Sequence, residues 1–295
     1  MNIDQALTEL GVTDADLTDE QRQSLDERGY FIVENVLTPE ECAEINSEVD
    51  RLIAEEGDRA GSEVSVEAGA TRISNVFNKS TAFDRLLEIK PLLAASKYLL
   101  AGEFKIHGAN MREPHKGHGQ QPIHCDSHKM PDGTNALVNG VITFDAMTET
   151  NGPTRIVPGS HKWPAYNVPG ENAYDRHEKR PDETHTWAVK ETGVSEDNIV
   201  VDEQVDPGEH TPADPFEEYP GEMKVVAPAG ALVVLNAHMW HSGTEKLDDT
   251  RRRQFHLTYT PREMPQQLIQ QKYLTSALYE RLSPAQRYIL DVTGD

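Results

Sequence analysis

The feature that most restricts the fold is a series of short strand-like runs in the second half of the chain. Seven runs rich in β-branched, aromatic and aliphatic residues span 104–111, 122–126, 137–144, 155–157, 223–226, 231–240 and 252–260. Turn-forming sequences such as Asn151-Gly152-Pro153 and Pro158-Gly159-Ser160 separate them. Many short strands joined by turns are typical of antiparallel sandwiches and jelly rolls. We therefore expect residues 103–163 and 223–261 to form a jelly-roll core.

The first part of the chain, residues 1–102, has mainly helical patterns instead. Thr38-Pro39-Glu40-Glu41 is a capping box with proline at the first helical position, and apolar residues then recur at helical spacing as far as Gly57. This pattern predicts an amphipathic helix. Residues 83–89 and 92–100 indicate two more short helices, and residues 30–33 indicate a short strand.

Two further stretches complete one predicted domain over residues 1–295. Residues 164–222 are rich in Pro, Glu and Asp and carry scattered aromatic residues, which predicts a lid, a binding loop or a disordered insert. Residues 262–295 contain a helical pattern from about 265 to 290, and we expect this C-terminal helix to pack against the β core. The length suits a single β domain with helical additions.

Composition limits the partners and the compartment. The chain has 28 Lys and Arg against 50 Asp and Glu, a net charge of −22, which opposes binding to nucleic acid or to an anionic membrane. No apolar run approaches the roughly 20 residues that span a bilayer. Cys42 and Cys125 do not suggest a disulfide framework, and the acidic N-terminus is unlike a targeting sequence. We expect a soluble cytoplasmic protein and leave its oligomeric state open.

A candidate metal site begins on the predicted strand over 122–126. Because side chains alternate along a strand, His124 and Asp126 point to one face and Cys125 points to the other. A histidine and a carboxylate on the same rigid face can bind one metal ion. A single His-x-Asp sequence is common, so a further ligand is needed to make the site specific.

The third candidate ligand follows the apolar run over 231–240. His241 lies at the end of that run, and His238 is its rival, although strand geometry turns His238 to the opposite face. Two histidines and one carboxylate form the facial triad of non-haem Fe(II) sites, which leaves three positions open. Zinc more often takes three histidines or includes cysteine.

An arginine supplies a candidate anion site. Arg252 begins a predicted strand whose polar face carries Arg252, Gln254, His256 and Thr258. A guanidinium can pair bidentately with a carboxylate, so Arg252 is the expected anchor for the distal carboxylate of a metal-chelating keto acid. The alternative is that the three consecutive arginines at this point are solvated charges on an edge strand.

Three motifs, in this order, resemble the phytanoyl-CoA dioxygenase family. They are Gln-Pro-Ile-His-Cys-Asp at 121–126, Asn-Gly-Pro-Thr-Arg-Ile-Val-Pro-Gly-Ser-His-Lys at 151–162, and Trp-His-Ser-Gly at 240–243 with Arg252 and Tyr259 beyond it. The resemblance runs from about residue 17 to residue 261. It implies a mainly β protein with flanking helices (α+β), built on a double-stranded β-helix of the jelly-roll, cupin-like type. It also implies an oxygenase that uses Fe(II), 2-oxoglutarate and O2.

The resemblance assigns a role to each candidate site residue. The residues matching the iron ligands are His124, Asp126 and His241. Arg252 matches the partner of the 2-oxoglutarate C5 carboxylate, and Gln121 and Asn139 match positions that contact this cosubstrate. Many members have a small hydroxyl residue two positions after the last histidine, where this chain has Gly243.

The reaction implied is hydroxylation of an unactivated C–H bond, with release of succinate and CO2. Halogenating relatives replace the carboxylate ligand with Gly or Ala, so the presence of Asp126 argues against halogenation. The alternative interpretation is a cupin-like protein that binds metal or ligand without turnover, or a zinc-dependent hydrolase or isomerase.

The substrate is expected to be a small polar or cationic metabolite, such as an amino acid or a natural-product intermediate. An acyl-CoA would need a basic patch for its phosphates, and neither the net charge nor the acidic 164–222 insert offers one. The candidate walls of the substrate pocket are His128, Met130, Trp163 and Trp187.

Overall fold

Two antiparallel sheets form the centre of the computed structural model, which describes residues 1–67, 69–127, 129–130, 132–166 and 208–294. The strands are β1 (Tyr30–Val33), β2 (Ala70–Ile73), β3 (Phe104–Pro114), β4 (Val138–Thr143), β5 (Thr154–Ile156), β6 (Met223–Lys224), β7 (Leu232–Asn236), β8 (His241–Gly243) and β9 (Gln254–Pro261). The larger sheet has the order β1-β7-β4-β9-β3-β2 and the smaller has the order β6-β5-β8. The predicted fold class, a jelly-roll type with flanking helices, is confirmed, although the described strands do not close into a barrel.

The helices come mainly from the two ends of the chain. They span Ile3–Glu9, Asp19–Glu27, Pro39–Glu56, Val76–Lys79, Lys90–Leu100, Gln270–Tyr273, Ser276–Arg281 and Pro284–Leu290, with 3-10 turns at Asp14–Asp16, Gly57–Arg59, Thr81–Glu88, Ser160–Lys162 and Gly208–His210. The predicted capping box is present, because Thr38 Oγ1 accepts from the Glu41 N–H at 3.1 Å and the Glu41 carboxylate accepts from the Thr38 N–H at 2.8 Å. None of the described helices is long and apolar enough to cross a membrane.

The larger sheet buries one face against the helices, while its other face is apolar on β7 and polar on β9. On β9, Phe255, Leu257 and Tyr259 are fully buried in a cluster that also contains apolar residues of the helices. Burying a side chain of this size stabilises the fold by roughly 1.5 to 3 kcal/mol. At Gly140 on β4, an added Cβ would lie 2.4 Å from a methyl of Leu92, so the absence of a side chain lets the helix Lys90–Leu100 approach the sheet.

Three local predictions need correction. The predicted strand over 122–126 is reduced to one isolated bridge, between His124 and His241. The run 231–240 is not continuous, because the Met239 N–H donates to the Asn236 carbonyl at 2.8 Å and a turn separates β7 from β8. The helical stretch over 265–290 is divided into three short helices.

One strand was not predicted, and part of the predicted insert is not described. The sequence patterns did not predict β2, which pairs with β3 at the edge of the larger sheet. Of the predicted 164–222 insert, residues 167–207 lie outside the described residues. The division into one domain with a lid stays a prediction.

Candidate metal centre and its surroundings

The structure brings His124, Asp126 and His241 together. A reciprocal pair of backbone hydrogen bonds joins the two histidines, with N···O distances of 2.9 and 2.8 Å. The Asp126 N–H donates to the carbonyl of Ala237, at the turn that follows β7, at 2.9 Å. Ligand atoms of the three side chains lie within 4.8 Å of one another, so they could hold one metal ion.

Backbone carbonyls fix the orientation of both imidazole rings. Nδ1 of His124 donates to the carbonyl of Pro122 at 2.8 Å, and Nδ1 of His241 donates to the carbonyl of Met239 at 2.8 Å. Because a carbonyl only accepts, each Nδ1 carries a hydrogen and each Nε2 is left for a ligand. The two Nε2 atoms face Asp126, at 3.5 Å for His124 and 3.3 Å for His241. Such outer contacts are typical of metal-binding histidines.

The electrostatics keep Asp126 anionic. Burial by itself would raise its pKa, but the neighbouring His241 and His124 outweigh burial and hold the pKa well below the usual value. Burial lowers the pKa of His241, and Asp126 more than offsets that effect, so the pKa of His241 is raised. The Asp126 side chain is 34 % exposed to solvent, so a ligand can reach it. A metal ion binding here would compete with protons for the carboxylate and the two Nε2 atoms.

His238 takes a structural position instead. Its Nδ1 lies 2.9 Å from the Ser127 carbonyl and its Nε2 lies 3.0 Å from the Trp163 carbonyl. The ring therefore links two backbone segments, and it is not part of the cluster formed by the three candidate ligands.

Arg252 is buried, with 1 % exposure, so it is not a solvated edge-strand charge. Its Nη2 donates to Thr154 Oγ1 at 3.4 Å, whereas Nε and Nη1 have no partner among the described residues. Burial, with a further contribution from the positive charge of Arg112, lowers the pKa of Arg252 to about 9. A buried guanidinium with two unused donors fits an anionic ligand such as a carboxylate.

The two predicted cosubstrate contacts lie beside the cluster. Asn139 donates from Nδ2 to Oδ2 of Asp126. Gln121 donates from its backbone N–H to the Gly243 carbonyl at 3.0 Å, and its Oε1 lies 3.3 Å from the place where a Cβ on Gly243 would be. The contacts of these two residues with a cosubstrate stay predictions.

The residues around β8 show why a glycine follows the last histidine by two positions. A Cβ on Gly243 would lie 2.5 Å from the Gly119 carbonyl oxygen. The neighbouring hydroxyl, Ser242 Oγ, accepts from Nε of Arg155 at 2.5 Å. The Ser242 hydroxyl therefore binds a protein side chain, Arg155.

Two of the four predicted pocket walls, Trp163 and Met130, lie among the described residues. The ring of Trp163 stacks on His210 at 4.0 Å and meets Trp240 edge-on at 5.3 Å, in a cluster that also contains Cys125. Met130 lies in a turn, where its N–H donates to the Thr134 carbonyl at 2.8 Å. His128 and Trp187 lie outside the described residues. Substrate binding by all four residues stays a prediction.

A buried ion-pair group was missed by the sequence reasoning. Glu67, near β2, pairs with Arg112 of β3 and with Arg72 at 2.6 Å. Burial would raise the pKa of Glu67, but these two guanidiniums lower it to about 2. No local pattern distinguishes these residues from surface charges, because Arg112 lies 45 residues from Glu67 and meets it only when β2 and β3 pair.

A comparison with protein families identifies the chain. The phytanoyl-CoA dioxygenase (PhyH) model matches residues 25–254. The chain belongs to the phytanoyl-CoA dioxygenase family. Members of this family use Fe(II), 2-oxoglutarate and O2.

Curated relatives in this family are dioxygenases. Dioxygenase sphC of Aspergillus fumigatus is 28 % identical over 188 residues, which are 55 % of this chain and 51 % of that protein. Ectoine dioxygenase of Bordetella bronchiseptica is 31 % identical over 156 residues, half of each chain. The chain thus spans about half the length of the curated relatives that it matches.

Solved structures of HygX from Streptomyces hygroscopicus share the fold. The structure with nickel and 2-oxoglutarate has a TM-score of 0.54 and 20 % identity, over 85 % of this chain and 89 % of HygX. The structure that also holds hygromycin B has a TM-score of 0.55 and 18 % identity, over 85 % and 90 %. At this identity the likeness establishes the fold.

Proposed function

We propose that this protein is an Fe(II)- and 2-oxoglutarate-dependent dioxygenase that hydroxylates a C–H bond of a small metabolite. The observation that carries the proposal is the cluster of His124, Asp126 and His241, with both imidazole Nε2 atoms turned toward the carboxylate. This donor set leaves three positions of an octahedral ion open, as a chelating cosubstrate and O2 require.

Each residue of the site has a role in this proposal. His124, Asp126 and His241 hold the iron, which supplies the place where O2 and 2-oxoglutarate react. Arg252 pairs with the C5 carboxylate of 2-oxoglutarate through the donors that lack a described protein partner. Asn139 orients the Asp126 carboxylate, and Gln121 lines the cosubstrate side of the site.

The overall reaction balances when one atom of O2 enters the hydroxylated substrate and the other enters succinate. Substrate C–H, O2 and 2-oxoglutarate give substrate C–OH, succinate and CO2. The substrate is a small polar metabolite, such as an amino acid or a natural-product intermediate. Relatives named ectoine dioxygenase and a HygX structure holding hygromycin B support this class. The net charge of −22 opposes a CoA ester, nucleic acid or an anionic membrane, and a cytoplasmic location fits the same composition.

Isotope labelling tests the reaction class without knowledge of the substrate. The protein is loaded with Fe(II) and supplied with 2-oxoglutarate under ¹⁸O2, and succinate is analysed by mass spectrometry. One ¹⁸O atom per succinate is expected, and the zinc-loaded protein should give none. Succinate without label would exclude the dioxygenase. Hydrolysis or isomerisation of a metabolite by the zinc-loaded protein would instead support the cupin-like alternative.

A further inference from the structure

The polar face of the larger sheet continues beyond the candidate metal ligands. Residues directly opposite each other on antiparallel strands share a face. Asn139 of β4 is opposite Thr258 of β9, so the side of the sheet that contacts Asp126 also carries Thr258. On the next row toward β3, Asn110 is opposite His256. A band of polar residues thus extends from the site across β9 to β3.

An asparagine–glutamine pair lies at one end of this band. Asn110, with 6 % exposure, donates from Nδ2 to Oε1 of Gln267 at 2.5 Å, and its own Oδ1 is buried with no partner in the described parts of the chain. Gln267 reaches this position over Gly108, where a Cβ would lie 2.4 Å from Gln267 Oε1. The pair therefore offers one unused acceptor, and the amide nitrogen of Gln267 offers donors.

A histidine in a β-bulge adds an acceptor. His107 is the extra residue where the register of β3 and β9 shifts. Its Nδ1 lies 3.0 Å from the Pro265 carbonyl and so carries the hydrogen, which leaves Nε2 as an acceptor. Burial lowers the pKa of His107, and the hydrogen bond to Pro265 and the charge of Asp126 offset this effect only in part.

A second amide–imidazole pair lies closer to Arg252. Gln254, with 2 % exposure, contacts Nε2 of His256 through its Nε2 at 2.6 Å, and its Oε1 is buried without a partner among the residues described. Nε2 of Gln254 donates to Nε2 of His256, so Nδ1 of the neutral ring carries the hydrogen and is a donor. Burial and three nearby arginines lower the pKa of His256 to about 3, so the ring is neutral at pH 7.

The charges around this band favour a neutral ligand. Arg72, Arg112 and Arg252 act on His256 as positive charges and outweigh the negative charge of Asp126, which opposes a cationic group at this place. Arg72 and Arg112 are paired with Glu67, and the proposed function assigns Arg252 to 2-oxoglutarate. An apolar group would leave the buried Asn110 and Gln254 oxygens without partners, at a cost of roughly 1 to 3 kcal/mol each.

We infer that Asn110, Gln267, His107, Gln254 and His256 form the substrate-binding wall, and that it binds a neutral group carrying several hydroxyls or an amide. This inference rests on the proposed function, because the metal site defines where the substrate must lie. The wall presents acceptors at Asn110 and His107 and donors at Gln267 and His256. It thereby selects a ligand that can both donate and accept.

Three probes of different chemistry test the wall. The protein is loaded with Zn(II), which does not react with O2, and with 2-oxoglutarate. Saturation-transfer NMR then measures binding of N-acetylglucosamine (neutral hydroxyls and an amide), octanoate (an apolar chain with a carboxylate) and putrescine (a dication). N-acetylglucosamine is expected to bind at least about tenfold more tightly than the other two, because octanoate would leave the buried Asn110 and Gln254 oxygens unpaired and putrescine would meet the positive charges near His256.

Variants link the binding to the wall. Asn110→Leu and Gln267→Leu should each weaken N-acetylglucosamine binding about tenfold, the loss expected for one buried hydrogen bond, without changing 2-oxoglutarate affinity. Tyr259→Phe, which removes a buried hydroxyl from the opposite face of β9, should change neither affinity.

The outcomes distinguish this inference from the proposed function. Wild-type protein that binds 2-oxoglutarate but prefers octanoate or putrescine, or binds none of the probes, would overturn the wall and leave the proposed function standing. Equal N-acetylglucosamine binding by wild type and both leucine variants would also overturn the wall. Failure of wild type to bind 2-oxoglutarate would overturn both.

Discussion

Asn139 donates a hydrogen bond from its side-chain amide to Oδ2 of Asp126. The same carboxylate faces Nε2 of His124 through Oδ1 and Nε2 of His241 through Oδ2. Asn139 lies in the middle of the larger sheet, paired with both β7 and β9, so its position is rigid. One strand of the sheet thus fixes the orientation of the only carboxylate in the described candidate ligand set.

Replacing Asn139 by alanine should weaken metal binding. The Asp126 carboxylate would lose the donor that orients it, and loss of such an outer contact typically reduces metal affinity by about 10- to 100-fold. Titration of the metal-free protein with Co(II), followed by absorbance, measures the effect. Asn135→Ala is the matched control, because Asn135 donates to the Leu99 carbonyl and lies outside the ligand cluster. Equal affinities for Co(II) in both variants would contradict this role.

Replacing Arg252 by methionine should have opposite effects on stability and on cosubstrate binding. In the absence of 2-oxoglutarate, removal of a buried charge without an adjacent partner should raise the free energy of unfolding by about 1 to 4 kcal/mol. Binding of 2-oxoglutarate should weaken by roughly 2 to 5 kcal/mol, because the C5 carboxylate loses a desolvated partner. Urea denaturation with and without 2-oxoglutarate measures both effects.

The control and the pH dependence follow from the position of Arg252. Arg251 is largely exposed and pairs with Asp145, so Arg251→Met should leave 2-oxoglutarate affinity unchanged. If Arg251→Met, and not Arg252→Met, weakened 2-oxoglutarate binding, the assignment of the anchor would be wrong.

The charge of Arg252 also makes stability depend on pH. The pKa of Arg252 in the fold is about 9, below its usual 12.5. The buried charge therefore lowers the free energy of unfolding below pH 9, and this loss diminishes as the pH rises above 9.

His256 should make the metal-free protein less stable in mild acid. Its pKa is about 3 in the fold and 6.5 in the unfolded chain, so between these values only the unfolded state binds the proton. Stability is therefore lost as the pH falls below 6.5, by about 2 kcal/mol at pH 5 for this residue alone. Urea denaturation at pH 7.5 and pH 5 should show a smaller difference for His256→Gln than for wild type. The same difference in both proteins would contradict the shifted pKa.

A methyl group at Gly243 should destabilise the segment that carries His241. The added Cβ would lie 2.5 Å from the Gly119 carbonyl oxygen, which is backbone and has little freedom to move. We expect Gly243→Ala to lower the free energy of unfolding by about 1 to 3 kcal/mol. Gly102→Ala is the control, because its nearest neighbour would be 3.8 Å away. Thermal denaturation of both variants measures the effect, and equal melting temperatures would contradict it.

Two of the three candidate metal ligands could be paired from the sequence because their geometry is local. Alternation places His124 and Asp126 on one side of the backbone even though the bridge at His124 is all that forms of the predicted strand. His241 joins them through long-range backbone pairing, which the residues alone did not determine. Strand alternation favoured His241 over His238 and the family resemblance assigned it as a ligand; the structure places its ligand atom within 4.8 Å of the other two, and metal binding stays a prediction.

The features that sequence patterns did not predict depend mostly on contacts between residues that are distant in sequence. Glu67 and Arg112 are 45 residues apart and read as ordinary charges until β2 and β3 pair. Trp163 is the last residue of the predicted core over 103–163, but its ring packs with His210, which lies within the predicted 164–222 insert. The turn after Asn236 interrupts an apolar run that looks continuous, because the short asparagine side chain accepts from the His238 N–H at 3.1 Å.

The most direct test of the central claim is oxygen-dependent succinate formation by the Fe(II)-loaded protein with 2-oxoglutarate. It is compared for wild type, Asp126→Ala and Asp132→Ala, where Asp132 is an exposed carboxylate near the site in sequence. We expect wild type and Asp132→Ala to form succinate at equal rates and Asp126→Ala to form none above the protein-free background. Equal rates in wild type and Asp126→Ala would show that the cluster of His124, Asp126 and His241 is not the catalytic metal site.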